Sequence, residues 1–407
     1  MKHKNTIALF LFMALAFQNL SGQELAQWRG DLRDGKYKET GLLKSWPKNG
    51  LEILWSSSGF GIGYASVVVS NTMIFTTGAE EKEGFVFGLD KKGNHLWKTY
   101  FGEEWTESFP GTRTTPTYYK GKLYLHSSLG MAVCLDAKSG KILWQDDLNK
   151  KYKVRSPKWG ISESPLIVDD MVIFTPGGEK IVMIAKDVDS GKTLWESELN
   201  GNKQAYNSPC LINYNGRKFI LTNLEKSIVA VNPDNGKLIW EYPQENRYDV
   251  HPNTPLFNNG YIYSLTGYGV GGVMLKLSND GTSVSEVWKN KSQDNQMGGA
   301  IWVHGNIYAS GQKNRDWQCL DEKTGEVKQE IDDISKGNCI YADGMLYVYG
   351  DKGELGLIKP SPEGLELISK FDVDLGSQQH WAHLVIDNGV LYCRHGDTII
   401  AYDIKNK

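Results

Sequence analysis

Val133 to Trp144 reads VCLDAKSGKILW, and the phrase returns along most of the chain. Val86 to Trp97 reads VFGLDKKGNHLW, Ile184 to Trp195 reads IAKDVDSGKTLW, and Val229 to Trp240 reads VAVNPDNGKLIW. A looser copy, LKLSNDGTSVSEVW, ends at Trp288; QCLDEKTGEVKQ puts Gln329 at the Trp position, and the degenerate IKPSPEGLELI puts Ile368 there. The clear copies recur every ~45–50 residues, the period of a propeller blade.

The phrase has the physics of a hairpin. Its alternating apolar residues make a half-buried incoming strand. The Asp or Asn bonds the local backbone, and the Gly takes a positive φ to close the turn. Trp then sits on the outgoing strand, large enough to fill a gap between neighbouring sheets. A second phrase lies between the copies: a small residue, Pro, an alternating run, a turn, another run. TTPTYYKGKLYLH (Thr114 to His126), SPLIVDDMVIFT (Ser164 to Thr175) and TPLFNNGYIYSL (Thr254 to Leu265) are its best examples among eight. Two hairpins per unit give four antiparallel strands, repeated radially. No long amphipathic helix interrupts them, which argues against βαβ folds.

The ends complete the count. TIIAYDIKNK at the C-terminus has an incoming strand without its partner; GLEILWSSS, Gly50 to Ser58, offers an outgoing strand carrying Trp55. Joined, they make an eighth unit and remove two open edges. The expectation is an all-β, eight-bladed β-propeller of four-stranded antiparallel blades, one blade shared between the termini. An open sandwich or two smaller propellers are the alternatives.

Composition agrees. The 407 residues include 44 Gly, with 40% hydrophobic and 23% charged residues, as in a globular protein. A formal charge of -3 without a basic block gives no nucleic-acid footprint. Met1 to Lys4 is basic, Ile7 to Phe17 is almost wholly apolar, and Ser21, Gly22 and Gln23 follow. That pattern predicts a signal peptide over 1–22, a lead-in over 23–50 and the propeller over 51–407. The chain is therefore expected in the periplasm or secreted, as a monomer with no membrane span. No cysteine follows the apolar run, so no lipid anchor is expected there. Cys134, Cys210, Cys319, Cys339 and Cys393 form no CxxC or adjacent pair, which leaves a zinc knuckle or covalent haem unsupported. Pairing between distant cysteines stays open.

The LD-x-x-SGK-x-LW phrase resembles the repeat of pyrroloquinoline-quinone (PQQ) type propellers, the quinoprotein alcohol dehydrogenase-like superfamily. QWRGDLRDG (Gln27 to Gly35) followed by GLLKSWP resembles the lead-in of its short secreted members. The resemblance implies two branches. Quinoprotein dehydrogenases hold PQQ and Ca²⁺ on one face, using adjacent cysteines, a glutamate and an asparagine on Ca²⁺, and an aspartate base. This chain has no adjacent cysteines; Glu80 and Glu179 are its nearest partial matches to the glutamate. The other branch resembles the assembly factor of bacterial outer-membrane proteins, a non-enzymatic propeller.

Alignment of the repeats marks residues expected at one mouth of the central channel. Before the innermost strands stand Arg113, Glu163, Asn207 and His251, then Asn253, Asn338, His380 and His383. Ends of the next strands add Glu80, His126, Glu179, Arg394 and His395, so five of the eight histidines fall here. The expected cofactor-binding set is Glu80, Arg113, Glu163, Glu179, Asn207 and Asn253, with Trp159 and Trp381 stacking a quinone or sugar ring. Glu163, His380 and His383 are the candidate metal ligands; the alternative reading of Glu163 and Asn253 is that they bond strand-end backbone groups. The expected function is a binding or assembly platform for a protein or glycan. The alternatives are a PQQ- and Ca²⁺-dependent dehydrogenase of alcohols or sugars, and metal-assisted hydrolysis at the histidine-rich rim.

Overall fold

The repeat phrase folds as its chemistry dictates. In VCLDAKSGKILW, strand Met131–Asp136 pairs antiparallel with Ile142–Asp147, Cys134 opposite Trp144, with a bulge after Cys134. Asp136 Oδ1 accepts from the Ser139 amide at 2.8 Å and the Ser139 hydroxyl at 2.6 Å, locking the turn. Asp187 and Ser190 repeat this arrangement one blade on.

A computed structural model describes residues 25–154, 157–313 and 315–406; the apolar leader expected over 1–22 lies outside the described residues. The described strands form eight sheets of four antiparallel repeat strands, two of them carrying one added strand from the lead-in. The helical content is slight: a turn of α-helix at Leu148–Tyr152 and a 3₁₀ turn at Leu199–Gly201. The fold is an eight-bladed β-propeller. Numbering blades from the one that begins at Val68, the eighth is closed by Glu52–Ser58 pairing with Thr398–Asp403, Trp55 opposite Ala401.

Eight apolar clusters seal the eight interfaces between neighbouring blades. One joins the third and fourth blades through Ile173, Ala185, Ile220 and Val229. Another joins the eighth to the first through Tyr392, Ile399, Ile74 and Phe87, so the ring is closed. Four of the repeat-phase Trp residues add a second tie to the next blade, while the buried indole N–H groups of Trp97 and Trp240 have no such partner. Trp55, Trp144, Trp195 and Trp288 donate their indole N–H to the carbonyls of Lys91, Val188, Pro233 and Glu322 at 2.8–3.1 Å. Each acceptor directly follows the turn Asp or Asn of that blade. The same rings lie on the turn glycine: a Cβ on Gly191 would meet Trp144 at 2.6 Å, and Gly93, Gly236 and Gly325 are covered alike by Trp55, Trp195 and Trp288. Glycine at that position thus answers both a positive φ and an indole pressed against it. Where Gln329 replaces Trp, its Oε1 accepts from the Leu365 amide at 2.6 Å instead.

The lead-in plugs the channel. Leu25–Ala26 pairs antiparallel with Tyr118–Tyr119 in the second blade, and Lys36–Tyr37 pairs parallel with Tyr341–Ala342 in the seventh. Between them the chain turns back inside the ring, with Arg29 and Arg33 at 2% and 1% exposure. Arg33 donates to the carbonyls of Ser164 (2.7 Å), Pro165 (2.5 Å) and Pro209 (3.0 Å), on the third and fourth blades. Arg29 donates to the carbonyls of Cys339 and Ala300, both at 2.9 Å, on the seventh and sixth. Burial lowers the pKa of both, that of Arg33 to about 10; a guanidinium stays protonated in proteins. Inner-strand carbonyls thus take the place of carboxylate partners for both guanidinium groups.

Candidate functional site

Each innermost strand is preceded by a short segment that reaches the axis at the same mouth of the channel. Seven of these segments, with Trp28 from the plug, enclose a cleft of about 410 Å³. In five of the segments, paired lining residues stand two positions apart. Arg113 and Thr115, Ser162 and Ser164, Tyr206 and Ser208, Val250 and Pro252, and Trp381 and His383 line the cleft. The residues between them, Thr114, Glu163, Asn207, His251 and Ala382, are all buried and absent from its lining. Alternation of side chains along an extended segment produces this split.

Aromatic rings dominate the lining. Trp381 lies 4.9 Å from Tyr64 and 5.0 Å from Phe109, tilted by 43° and 51°. Trp159 and Tyr206 lie 6.0 Å apart at 51°, and Trp28 meets His383 edge-on at 5.0 Å. Tyr268 and Met297 complete the apolar surface. Arg113 lies 5.5 Å from the Tyr64 ring centre and donates to the carbonyls of Gly111 (2.9 Å) and Phe109 (2.6 Å). No Asp, Glu or Lys is among the described lining residues. His383 Nδ1 contacts Arg29 Nη1 at 3.1 Å and its Nε2 contacts the Met297 carbonyl at 3.2 Å. Burial first, and the Arg29 cation second, hold its pKa well below the usual histidine range, so the ring is neutral.

The structure therefore brings Arg113, Trp159, Trp381 and His383 together and separates the other expected residues from them. Glu163 turns into the blade, where its carboxylate accepts from the Thr175 hydroxyl and amide, both at 2.7 Å, and contacts His126 Nδ1 at 2.9 Å. Asn207 Oδ1 accepts from the Thr222 hydroxyl at 2.7 Å while its amide donates to the Asn223 carbonyl at 2.6 Å. Asn253 donates to the Asn295 carbonyl at 3.0 Å. These three are strand-end fasteners. Glu80 and Glu179 stand outside the cleft, in ion pairs with Lys98 at 2.6 Å and Lys153 at 3.7 Å.

The expected metal set is also dispersed. His380 receives or gives a hydrogen bond to Tyr349 at 2.7 Å and stacks on His395 at 3.7 Å. Burial, with His395 second, lowers its pKa to about 4. His383 and Glu163 spend their polar atoms elsewhere, as described. Among the described residues, no three His, Cys, Asp or Glu side chains gather as a metal site. Asn338, from the same expected rim, donates to the carbonyls of Trp381 (3.4 Å) and Ala382 (3.2 Å), supporting the cleft from behind.

Trp28, Tyr64, Phe109, Tyr206 and Tyr268 escaped the sequence reading. Tyr206 stands one position from Asn207, so the alternation would have found it once the phase was known. Trp28 and Phe109 lie outside the repeat and carried no periodic signal.

A family model described as "Outer membrane protein assembly factor BamB" matches residues 82–331, well over half of the chain. The chain belongs to this PQQ-repeat family. Relatives by sequence include quinoprotein alcohol dehydrogenase PedH of Pseudomonas putida, 28% identical over 36% of this chain and 25% of that protein. The 1-butanol dehydrogenase (quinone) of Thauera butanivorans is 24% identical over 64% of this chain and 41% of that protein. The matches thus span less than half the length of these two relatives. In structure, the PQQ-repeat chain resembles BamB from Moraxella catarrhalis with a TM-score of 0.63 and 15% identity, over 87% of this chain and 100% of that one. A europium-containing methanol dehydrogenase gives 0.66 at 14% identity, over 91% and 90%. Both likenesses are likenesses of fold.

The cleft does not fit the metal–quinone pair of the dehydrogenase branch. Ca²⁺ takes six to eight oxygen ligands, carboxylates chief among them. Here the described lining residues offer no carboxylate; Glu80 and Glu179, the nearest partial matches to the family's glutamate, are in ion pairs outside it, and Glu163 and Asn207 face away with their oxygens engaged. PQQ carries three carboxylates, against one cation, Arg113, among the described lining residues.

Proposed function

We propose that this PQQ-repeat protein is an exported binding platform that seats part of a protein or glycan in the plugged channel mouth. One observation carries the reading: the cleft joins seven blade segments into a pocket of aromatic rings in which the described imidazole, His383, is already engaged. Rigid aromatic side chains supply large contact area at low entropic cost, the economy of a recognition surface. Catalysis by proton transfer needs an uncommitted acid or base within reach of the substrate. His383, the one imidazole in the lining, is neutral and bonded through both nitrogens. Kinship with an assembly factor supports a protein partner; the ring-lined pocket suits a glycan equally well. The N-terminal apolar run supports export.

The test is a titration of the purified chain with PQQ and Ca²⁺, together with a dye-linked assay on primary alcohols and aldoses. No retained quinone absorbance and no turnover are expected. Stoichiometric quinone binding with turnover would overturn the reading. Fractionation of cells expressing a C-terminally tagged chain should find it outside the cytoplasm.

A further inference from the structure

We infer that the ligand of this cleft is a saccharide bearing one carboxylate, an inference that rests on the cleft being the ligand seat. Charge is the first argument. Among the described lining residues Arg113 is the one permanent cation and there is no Asp or Glu, and His383 contributes no charge because its Nδ1 accepts from Arg29. A pocket whose described lining carries one cation and no carboxylate favours one anionic group and disfavours several. Two of the five N–H donors of Arg113 go to the carbonyls of Phe109 and Gly111, which leaves three for a carboxylate.

Ring geometry is the second. Trp381 makes angles of 43° and 51° with Tyr64 and Phe109, and Trp159 makes 51° with Tyr206. These contacting rings give no parallel slot for a flat fused ligand, which would stack on one wall only. A puckered sugar ring presents C–H groups in several directions, each slightly positive and suited to the negative face of an aromatic ring.

The third argument is leftover hydrogen-bonding capacity. Ser208 Oγ accepts from the Ser164 amide at 2.9 Å, Thr115 Oγ1 accepts from the Ser66 amide at 3.0 Å, and the Tyr206 hydroxyl accepts from the Trp159 amide at 3.2 Å. Each of the three keeps its own proton to give. Ser162 Oγ donates to the Tyr206 carbonyl at 2.8 Å and keeps its lone pairs. Donors and an acceptor thus stand side by side beneath the rings. Sugar hydroxyls, which both give and accept, match such a set; an aromatic carboxylate without hydroxyls would leave it unmet.

The experiment is calorimetric titration of the purified chain with methyl glycosides of glucuronic, galacturonic and N-acetylneuraminic acid and with an aldobiouronic acid, each against its own methyl ester. At least one acid should bind, at least tenfold more tightly than its neutral ester. Arg113→Gln should erase that preference, Arg113→Lys should restore part of it, and Trp381→Ala should weaken acid and ester alike. No binding by any acid, equal binding of acid and ester, or displacement of the sugar by equimolar benzoate would overturn the inference. The dye 1-anilinonaphthalene-8-sulfonate separates the two levels of failure. Dye fluorescence that is lost in Trp381→Ala but unmoved by every saccharide leaves the cleft as a ligand seat and removes the sugar. No dye binding by the parent chain removes both.

Discussion

Arg29 in the channel plug meets His383 in the cleft across 3.1 Å, joining residues 354 positions apart. Since a guanidinium can only donate, Nδ1 of His383 is the acceptor, and the ring proton sits on Nε2, facing the Met297 carbonyl. The plug therefore both floors the cleft through Trp28 and sets the protonation of its one histidine.

The plug should be a large contributor to stability. Arg33→Ala strands the buried carbonyls of Ser164 and Pro209 and leaves that of Pro165 with the Thr117 hydroxyl alone. A loss on the order of 3 kcal/mol in urea unfolding is expected. Arg33→Lys should recover less than half, because a point charge cannot reproduce the guanidinium fork. A loss below 1 kcal/mol for the alanine variant would show that the plug is an accessory.

Trp144 and Gly191 should be energetically coupled across their blade interface. Trp144→Ala is expected to cost about 3–5 kcal/mol. Gly191→Ala places a methyl 2.6 Å from the indole at a φ of 66°, for an expected loss of about 2–3 kcal/mol. In the double variant the clash is gone and only the φ strain remains. The combined loss should fall short of the sum by at least about 1 kcal/mol. Strict additivity in the unfolding free energies would contradict the contact.

Why the blades were legible and the site only partly so follows from the same physics. Every blade solves one hairpin problem, so Asp136, Gly140 and Trp144 recur with their neighbours and announce the ring. The pairing of Trp55 opposite Ala401 was implied by two half-units left at the ends. No ladder of hydrogen bonds fixes the phase of the segments before the inner strands, and the reading that favoured Glu163 and Asn207 was one residue out of register with the cleft. Arg29 and Arg33 occur once each, outside any repeat, and nothing in sequence distinguishes an arginine capping channel carbonyls from one in solvent.

All five cysteines are buried free thiols. Burial pushes Cys134, Cys210, Cys339 and Cys393 up to about 12, and raises Cys319 as well. Reaction with thiol reagents proceeds through the thiolate. Ellman's reagent at pH 8 should therefore label no cysteine in the native protein and all five in guanidinium. Fewer than five after denaturation without reductant would reveal a disulfide.

Glu104 gives the fold a pH dependence of definite sign. Its carboxyl is buried, with the Ser128 amide 3.3 Å from both oxygens, and desolvation raises its pKa from 4.5 to about 7. A folded-state pKa above the unfolded one means that the folded chain holds the proton more tightly. The corresponding stability is fully present below about pH 4.5 and is lost as pH rises through about 7. The span corresponds to a loss on the order of 3 kcal/mol. Glu104→Gln stays uncharged at every pH and keeps an oxygen to accept from Ser128. Relative to the parent, this variant should therefore gain stability between pH 5 and pH 8, measured by urea unfolding at both values. Parallel pH profiles for the two proteins would mean that Glu104 is already ionised in the folded state at pH 5.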